Sequence, residues 1–214
     1  QAHPTKQQAE EGYARENAAG VDLKDSKRNY KDDNHKPELI VALTDFYAMA
    51  GFRPLARTRE LFAALECPEL DHYVAMLDDD PSATTESANL RVLFTTWITI
   101  PSAKRKELIS AIVAAGERLI AADPADWKSR VMSTVLDLNQ RYPGDIGVLG
   151  ALLLNHIELS PGEAVYLDAG QLHAYVSGLG VEIMANSDNV LRGGLTPNFV
   201  DVPELVKVLT YAAA

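Results

Sequence analysis

The spacing of apolar residues changes twice along the chain, and that change limits the fold more than any other feature. Early on, "ELIVAL" and "FYAMAGF" are short apolar runs separated by "TD", and they read as two β-strands. From Pro54 the period lengthens. "PLARTRELFAAL" opens with proline at a helix-compatible first position. In "SAKRKELISAIVAAGERLIAA", Leu108, Ile112 and Leu119 form one stripe with Ile109, Val113 and Ile120. Val131, Val135 and Leu138 repeat the pattern in the next helix. After "RYPGD" the strand pattern returns in "LLLNHIEL", "EAVYL", "LHAYV" and "VEIMA", divided by "SPG", "DAGQ" and "SGLG". This predicts an α+β chain. A split β domain, sandwich or barrel, takes residues 1–53 and 146–201. An all-helical insertion takes 54–145, and a C-terminal segment starts over 202–214.

Ahead of the first strand, "HPTKQQAEEGYARENAAG" reads as a helix. Thr5 and Gln8 have capping-box spacing, and Gly20 suits the position just past the helix end. Residues 21–36 are polar and read as a loop. No internal repeat or low-complexity segment interrupts the chain.

The 214 residues, 47% of them hydrophobic, suffice for a sizeable core. The net charge of −10 comes without any basic cluster large enough to follow a phosphate backbone. Nucleic acid and anionic membrane surfaces are therefore not expected partners. Cys67 is the single cysteine, so no disulfide forms within the chain, which fits a cytoplasmic protein. No apolar run approaches the ~20 residues of a transmembrane helix, and no stretch reads as a signal peptide. The sequence opens on Gln1 and closes on "LTYAAA", and it is expected to be a fragment.

Several side chains are placed to act together. Gln1 and His3 are two apart, so on a strand they share a face. A histidine nitrogen and an amide oxygen are both able to ligate a divalent metal. Lys36 and Glu38 flank Pro37, which holds Lys36 extended, and they read either as a solvated ion pair or as part of a site. The turn "SGLG" suits a hairpin with Gly178-Leu179 at its tip. Counting back pairs Tyr175 with Glu182 and sets His173 opposite Met184. Those four then share one face, and Ala174, Val176, Val181 and Ile183 share the other. The polar face either meets solvent or lines a pocket; alternation alone does not choose. His72 and His156 read as structural or surface residues, and His35 as a neighbour of the Lys36 motif.

"SPGEAVYLDAGQLHAYVSG" resembles the second motif of the cupins, with Gly162, Gly170 and His173 in place. It departs at Asp168, where proline is usual, and at Ser177, where asparagine is usual. "QAHP", "HKPE", "LHAY" and "MANSDNVLRGGLTP", in this order around a helical insertion, resemble type I mannose-6-phosphate isomerases over nearly the whole chain. The resemblance implies a cupin-like jelly roll and a bound Zn2+. It also implies interconversion of mannose 6-phosphate and fructose 6-phosphate by a monomer. The family's zinc ligands fall on Gln1, His3, Glu38 and His173, and its active-site arginine on Arg192. Lys36, Tyr175, Glu182 and Asp188 fall on pocket positions. The family's lysine after "TP" is Asn198 here.

Isomerisation through a cis-enediol needs a Lewis acid at the sugar oxygens and a base for the C–H proton. Glu182, Lys36 or a water on the metal are candidate bases. Arg192 suits stabilisation of the anion or a hold on the phosphate. The alternative is a sugar-binding cupin that keeps zinc without catalysis.

Overall fold

The computed structural model describes residues 1–78 and 82–213. The chain divides into two compact units: Gln1–Gly51 with Asn155–Thr210, and Phe52–Leu154 with the residues from Tyr211 onward.

The first unit begins with helix α1, Lys6–Ala18. Both halves of its capping box are present: Thr5 Oγ1 accepts from Gln8 N–H at 3.1 Å, and Gln8 Oε1 accepts from Thr5 N–H at 3.0 Å. Its remaining elements are β1 (Glu38–Ala42), β2 (Phe46–Phe52), β3 (Leu154–Leu159), β4 (Ala164–Leu167), β5 (His173–Ser177), β6 (Gly180–Met184) and α8 (Val202–Val208), with β2 and β3 each running one residue into the second unit. They build two three-stranded sheets, ordered β4-β1-β6 and β3-β2-β5. Strand β1 alternates buried and half-buried residues, as a strand with one face in a core must. Ile40 and Ala42 from one sheet pack with Phe46, Ala48 and Leu159 from the other; Val165, Ile157 and Tyr175 close the cluster. The core of this unit therefore lies between facing sheets.

The expected hairpin does not form. Strand β5 pairs with β2, setting Ala50 beside His173, whereas β6 pairs with β1, setting Glu38 beside Met184 and Ile40 beside Glu182. Residues 178–179 thus carry the chain from one sheet to the other. Gly178 has φ 113°, and a β-carbon there would lie 2.5 Å from the Asp45 carbonyl oxygen. Glycine is required by this close backbone approach, not by a two-residue turn. Leu179 O accepts from the N–H groups of Leu43 and Thr44, at 2.9 and 3.2 Å, which fixes the crossing.

The second unit holds α2 (Leu55–Leu65), α3 (Pro68–Val74), α4 (Ala83–Ile98), α5 (Ser102–Ala122), α6 (Trp127–Arg141) and α7 (Ile146–Ala151). Leu108, Ile109 and Ile112 of α5 and Val131, Val135 and Leu138 of α6 are buried, as the stripes require. Gly116 lets the two helices approach, because a β-carbon there would meet Met132 and Leu136. Helix α7 stands where strand character was expected directly after "RYPGD". Asp145 caps it by accepting from Gly147 N–H at 2.7 Å. No helix among the described residues is long and apolar enough to cross a membrane.

Candidate metal centre

The main chain of residues 1–3 is extended and runs between β5 and Leu191, with an isolated β-bridge at Ala2. Gln1 and His173 exchange main-chain hydrogen bonds at 2.8 and 2.9 Å, and Ala2 and Leu191 do so at 2.8 and 3.0 Å. Gly170 N–H donates to His3 O at 2.8 Å. Residues directly opposite on antiparallel strands share a face, and so do residues two apart. This register gives Gln1, His3 and His173 a common side.

Strand β1 brings Glu38 to the same place. His3, Glu38 and His173 are all buried, at 2% exposure each, and their ligating atoms lie within 4.8 Å of one another. His3 Nε2 is 3.0 Å from Glu38 Oε1, and His173 Nε2 is 3.0 Å from Glu38 Oε2. The far nitrogens are also engaged. His3 Nδ1 lies 2.7 Å from the Asn189 carbonyl oxygen, and His173 Nδ1 lies 2.9 Å from that of Gln171. A carbonyl only accepts, so each Nδ1 carries a proton.

That leaves both Nε2 atoms facing the two oxygens of one carboxylate. Such a set coheres only around a cation, whether protons on the Nε2 atoms or a metal ion. His3 Nε2 is an orphan: it is buried and makes no aligned hydrogen bond, despite its closeness to Glu38. Burial tends to raise the Glu38 carboxyl. The imidazoles beside it, His173 first, reverse this and hold it well below the usual carboxylate range. Two imidazole nitrogens, each oriented from behind, and a carboxylate oxygen are a ligand set that fits zinc with a position left open.

Of the other sequence-predicted residues, Lys36 and Tyr175 stand against this cluster, and Glu182 is joined to it through Tyr175. Lys36 Nζ is 3.8 Å from Glu38 Oε1 and is mostly buried. The Tyr175 and His173 rings have centroids 6.1 Å apart. The Tyr175 hydroxyl donates to Glu182 Oε1 at 2.5 Å, across from β5 to β6. Burial, and then that bond, push the Tyr175 phenol above its usual range. Gln1 is exposed at the rim. Arg192 is half-buried and follows the Leu191 bridge, so it runs beside Gln1. Asp188 is exposed, and its N–H donates to Asp32 Oδ2 at 2.8 Å; no hydrogen bond or ion pair joins it to the three ligand candidates. Asn198 is exposed as well, with its N–H donating to Thr196 Oγ1 at 3.1 Å.

Sequence reasoning missed Asn189. Its contact with His3 is made by the main chain, which no side-chain motif announces. The signal that was present is the run of small polar residues in "NSDN", a composition that builds local hydrogen-bonded turns.

Residues 1–55 match the family model described as "Phosphomannose isomerase type I, catalytic domain". Mannose-6-phosphate isomerase of Escherichia coli strain K12 is 38% identical over 215 residues, covering 100% of this chain and 51% of that protein. Mannose-6-phosphate isomerase 2 of Arabidopsis thaliana is 37% identical over 218 residues, covering 99% and 46%. A crystal structure of a variant phosphomannose isomerase from Salmonella typhimurium has a TM-score of 0.82 at 36% identity, covering 100% of this chain and 51% of the other. A zinc-bound mannose 6-phosphate isomerase gives the same TM-score, identity and coverage. Facing antiparallel sheets with a buried His-Glu-His cluster define a cupin-type β domain. The chain spans about half the length of the curated relatives it matches. Over its whole length it is similar to mannose-6-phosphate isomerases, and its first 55 residues match the type I catalytic-domain model.

Proposed function

We propose that the chain carries the metal site of a zinc-dependent aldose–ketose isomerase that interconverts mannose 6-phosphate and fructose 6-phosphate. The observation that carries this reading is the buried convergence of His3, Glu38 and His173, with both histidines held by carbonyls through Nδ1. These three, with the Gln1 side-chain oxygen at the rim, would hold the metal. Bound there, zinc supplies a Lewis acid for the sugar's carbonyl and neighbouring hydroxyl oxygens.

The chain's own groups do the rest. Isomerisation takes a proton from C2 of the aldose and returns one to C1, through an enediol whose oxygens carry developing negative charge. Glu182 and Lys36 are the groups of suitable type to move that proton. Tyr175 holds the Glu182 carboxylate by its hydroxyl and so fixes where a proton is accepted. Arg192, half-buried and without an ion pair among the described residues, is available to an anionic oxygen or to the phosphate. Asp188 would act from the rim of the pocket, on the sugar hydroxyls.

In this reading the protein works as a cytoplasmic monomer on a free phosphosugar. The net charge of −10 speaks against nucleic acid and anionic membrane surfaces as partners. The test is a coupled assay for fructose 6-phosphate isomerisation, with zinc restored, on this chain and on a protein of the relatives' length. Zinc-dependent turnover in the longer protein, lost in His173→Ala, is expected. Turnover indifferent to zinc and to His173 would sink the proposal.

A further inference from the structure

Asn189 is fully buried, at 0% exposure, and every polar atom it has is used. Its side-chain oxygen accepts from the N–H groups of Lys31 (2.7 Å) and Asp32 (3.2 Å). Its side-chain NH2 faces Asn34 O (2.8 Å), Asp32 O (2.9 Å) and Asp32 Oδ1 (3.1 Å). Donors on one side and acceptors on the other fix the orientation of the amide. Its main-chain N–H donates to Ser187 Oγ at 3.1 Å, and the Ser187 hydroxyl lies 2.8 Å from Asp32 Oδ1. Its main-chain carbonyl accepts from His3 Nδ1 at 2.7 Å.

The two halves of this residue therefore serve different parts of one site. The carbonyl sets the proton and the ring direction of His3. The side chain pins residues 31–34, the loop that runs through Lys36 and Pro37 into Glu38. We infer that Asn189, seated by Ser187, is a positioning residue for the metal centre, holding His3 and the Glu38 approach in one geometry. This rests on the reading of His3, Glu38 and His173 as metal ligands. Partners that orient a ligand from behind typically change metal affinity ~10–100-fold when removed. A residue that only stabilised the loop would leave the affinity of the folded protein alone.

The experiment measures zinc affinity of the purified chain by competition with a chromophoric chelator, and the visible spectrum of its cobalt(II) form. Circular dichroism checks the fold of each variant. Asn189→Ala is expected to weaken zinc binding ~10–100-fold and to shift the cobalt bands. Ser187→Ala should act in the same direction with a smaller effect, and Ser187→Thr, which keeps the hydroxyl, should restore affinity. Tyr30→Phe removes a buried hydrogen bond away from the ligands, and it should lower thermal stability with zinc affinity unchanged. A folded Asn189→Ala with unaltered affinity and cobalt spectrum would overturn the inference. Should that variant not fold, unaltered affinity in Ser187→Ala overturns it instead. His3→Ala is the separate check on the metal reading: zinc affinity that survives it removes that reading and this inference together, whereas its loss with Asn189→Ala unaffected removes this inference alone.

Discussion

The Tyr175 hydroxyl reaches Glu182 Oε1 at 2.5 Å although the two residues stand on different sheets, Tyr175 beside Ala48 and Glu182 beside Ile40. The bond fastens the sheets next to the metal cluster. A hydrogen bond to a charged group contributes about 1.5–3 kcal/mol. Tyr175→Phe is expected to lose about that much unfolding free energy, read from urea denaturation. It should also reduce turnover, since the Glu182 carboxylate is no longer held. Unchanged stability would mean that the sheets are fastened by apolar packing alone.

Arg192 is expected to matter for turnover and not for metal content. In a protein of family length, Arg192→Ala should lower kcat ~100-fold, the scale of losing one preorganised electrostatic partner. Zinc content should stay as in the parent. Near-normal turnover would make Arg192 a structural residue.

The hairpin reading shows where sequence legibility ended. Strand alternation correctly put Tyr175 and Glu182 within reach of each other, but it cannot tell pairing within one sheet from facing across two. Both arrangements give the same period of two. What decides is the backbone at Gly178, packed against Asp45 and Phe46, and that contact leaves no trace in local pattern. Helix α1 was legible because Thr5 and Gln8 cap it locally. Helix α7 was not, because six residues are too few to establish a period. His3, Glu38 and His173 were legible as residue types in family motifs. Asn189 was not, since its hold on His3 comes from the main chain.

Gly12 shows a packing constraint that helix propensity would misjudge. A β-carbon there would lie 2.5 Å from Tyr30 Cδ2 and Cε2. Alanine normally gains about 1 kcal/mol over glycine within a helix. Tyr30 is only 1% exposed and its hydroxyl is bound to Glu204 Oε1 at 2.5 Å, so the ring has little room to yield. Overpacking at the upper end of its ~1–3 kcal/mol range should win. Gly12→Ala is expected to lower the urea midpoint; a raised midpoint would show that the ring moves freely.

Tyr30 also gives a pH dependence. Burial, then the hydrogen bond to Glu204, push its phenol above the usual range. The unfolded chain releases that proton near pH ~10, while the folded chain keeps it. The unfolded state then binds fewer protons, so stability is fully present below about pH 10 and falls as pH rises. Urea unfolding between pH 8 and 11 should show the decline, at up to about 1.4 kcal/mol per pH unit for this group. Tyr30→Phe should flatten part of it, and an unchanged slope would assign the decline to other groups.

Zinc anomalous diffraction from crystals of the chain grown with the metal tests the central claim most directly. One peak is expected, with His3 Nε2, His173 Nε2, a Glu38 carboxylate oxygen and the Gln1 side-chain oxygen each about 2.0–2.2 Å away. A zinc peak elsewhere, with His3 and His173 still resting against Glu38 and no metal between them, would contradict the account.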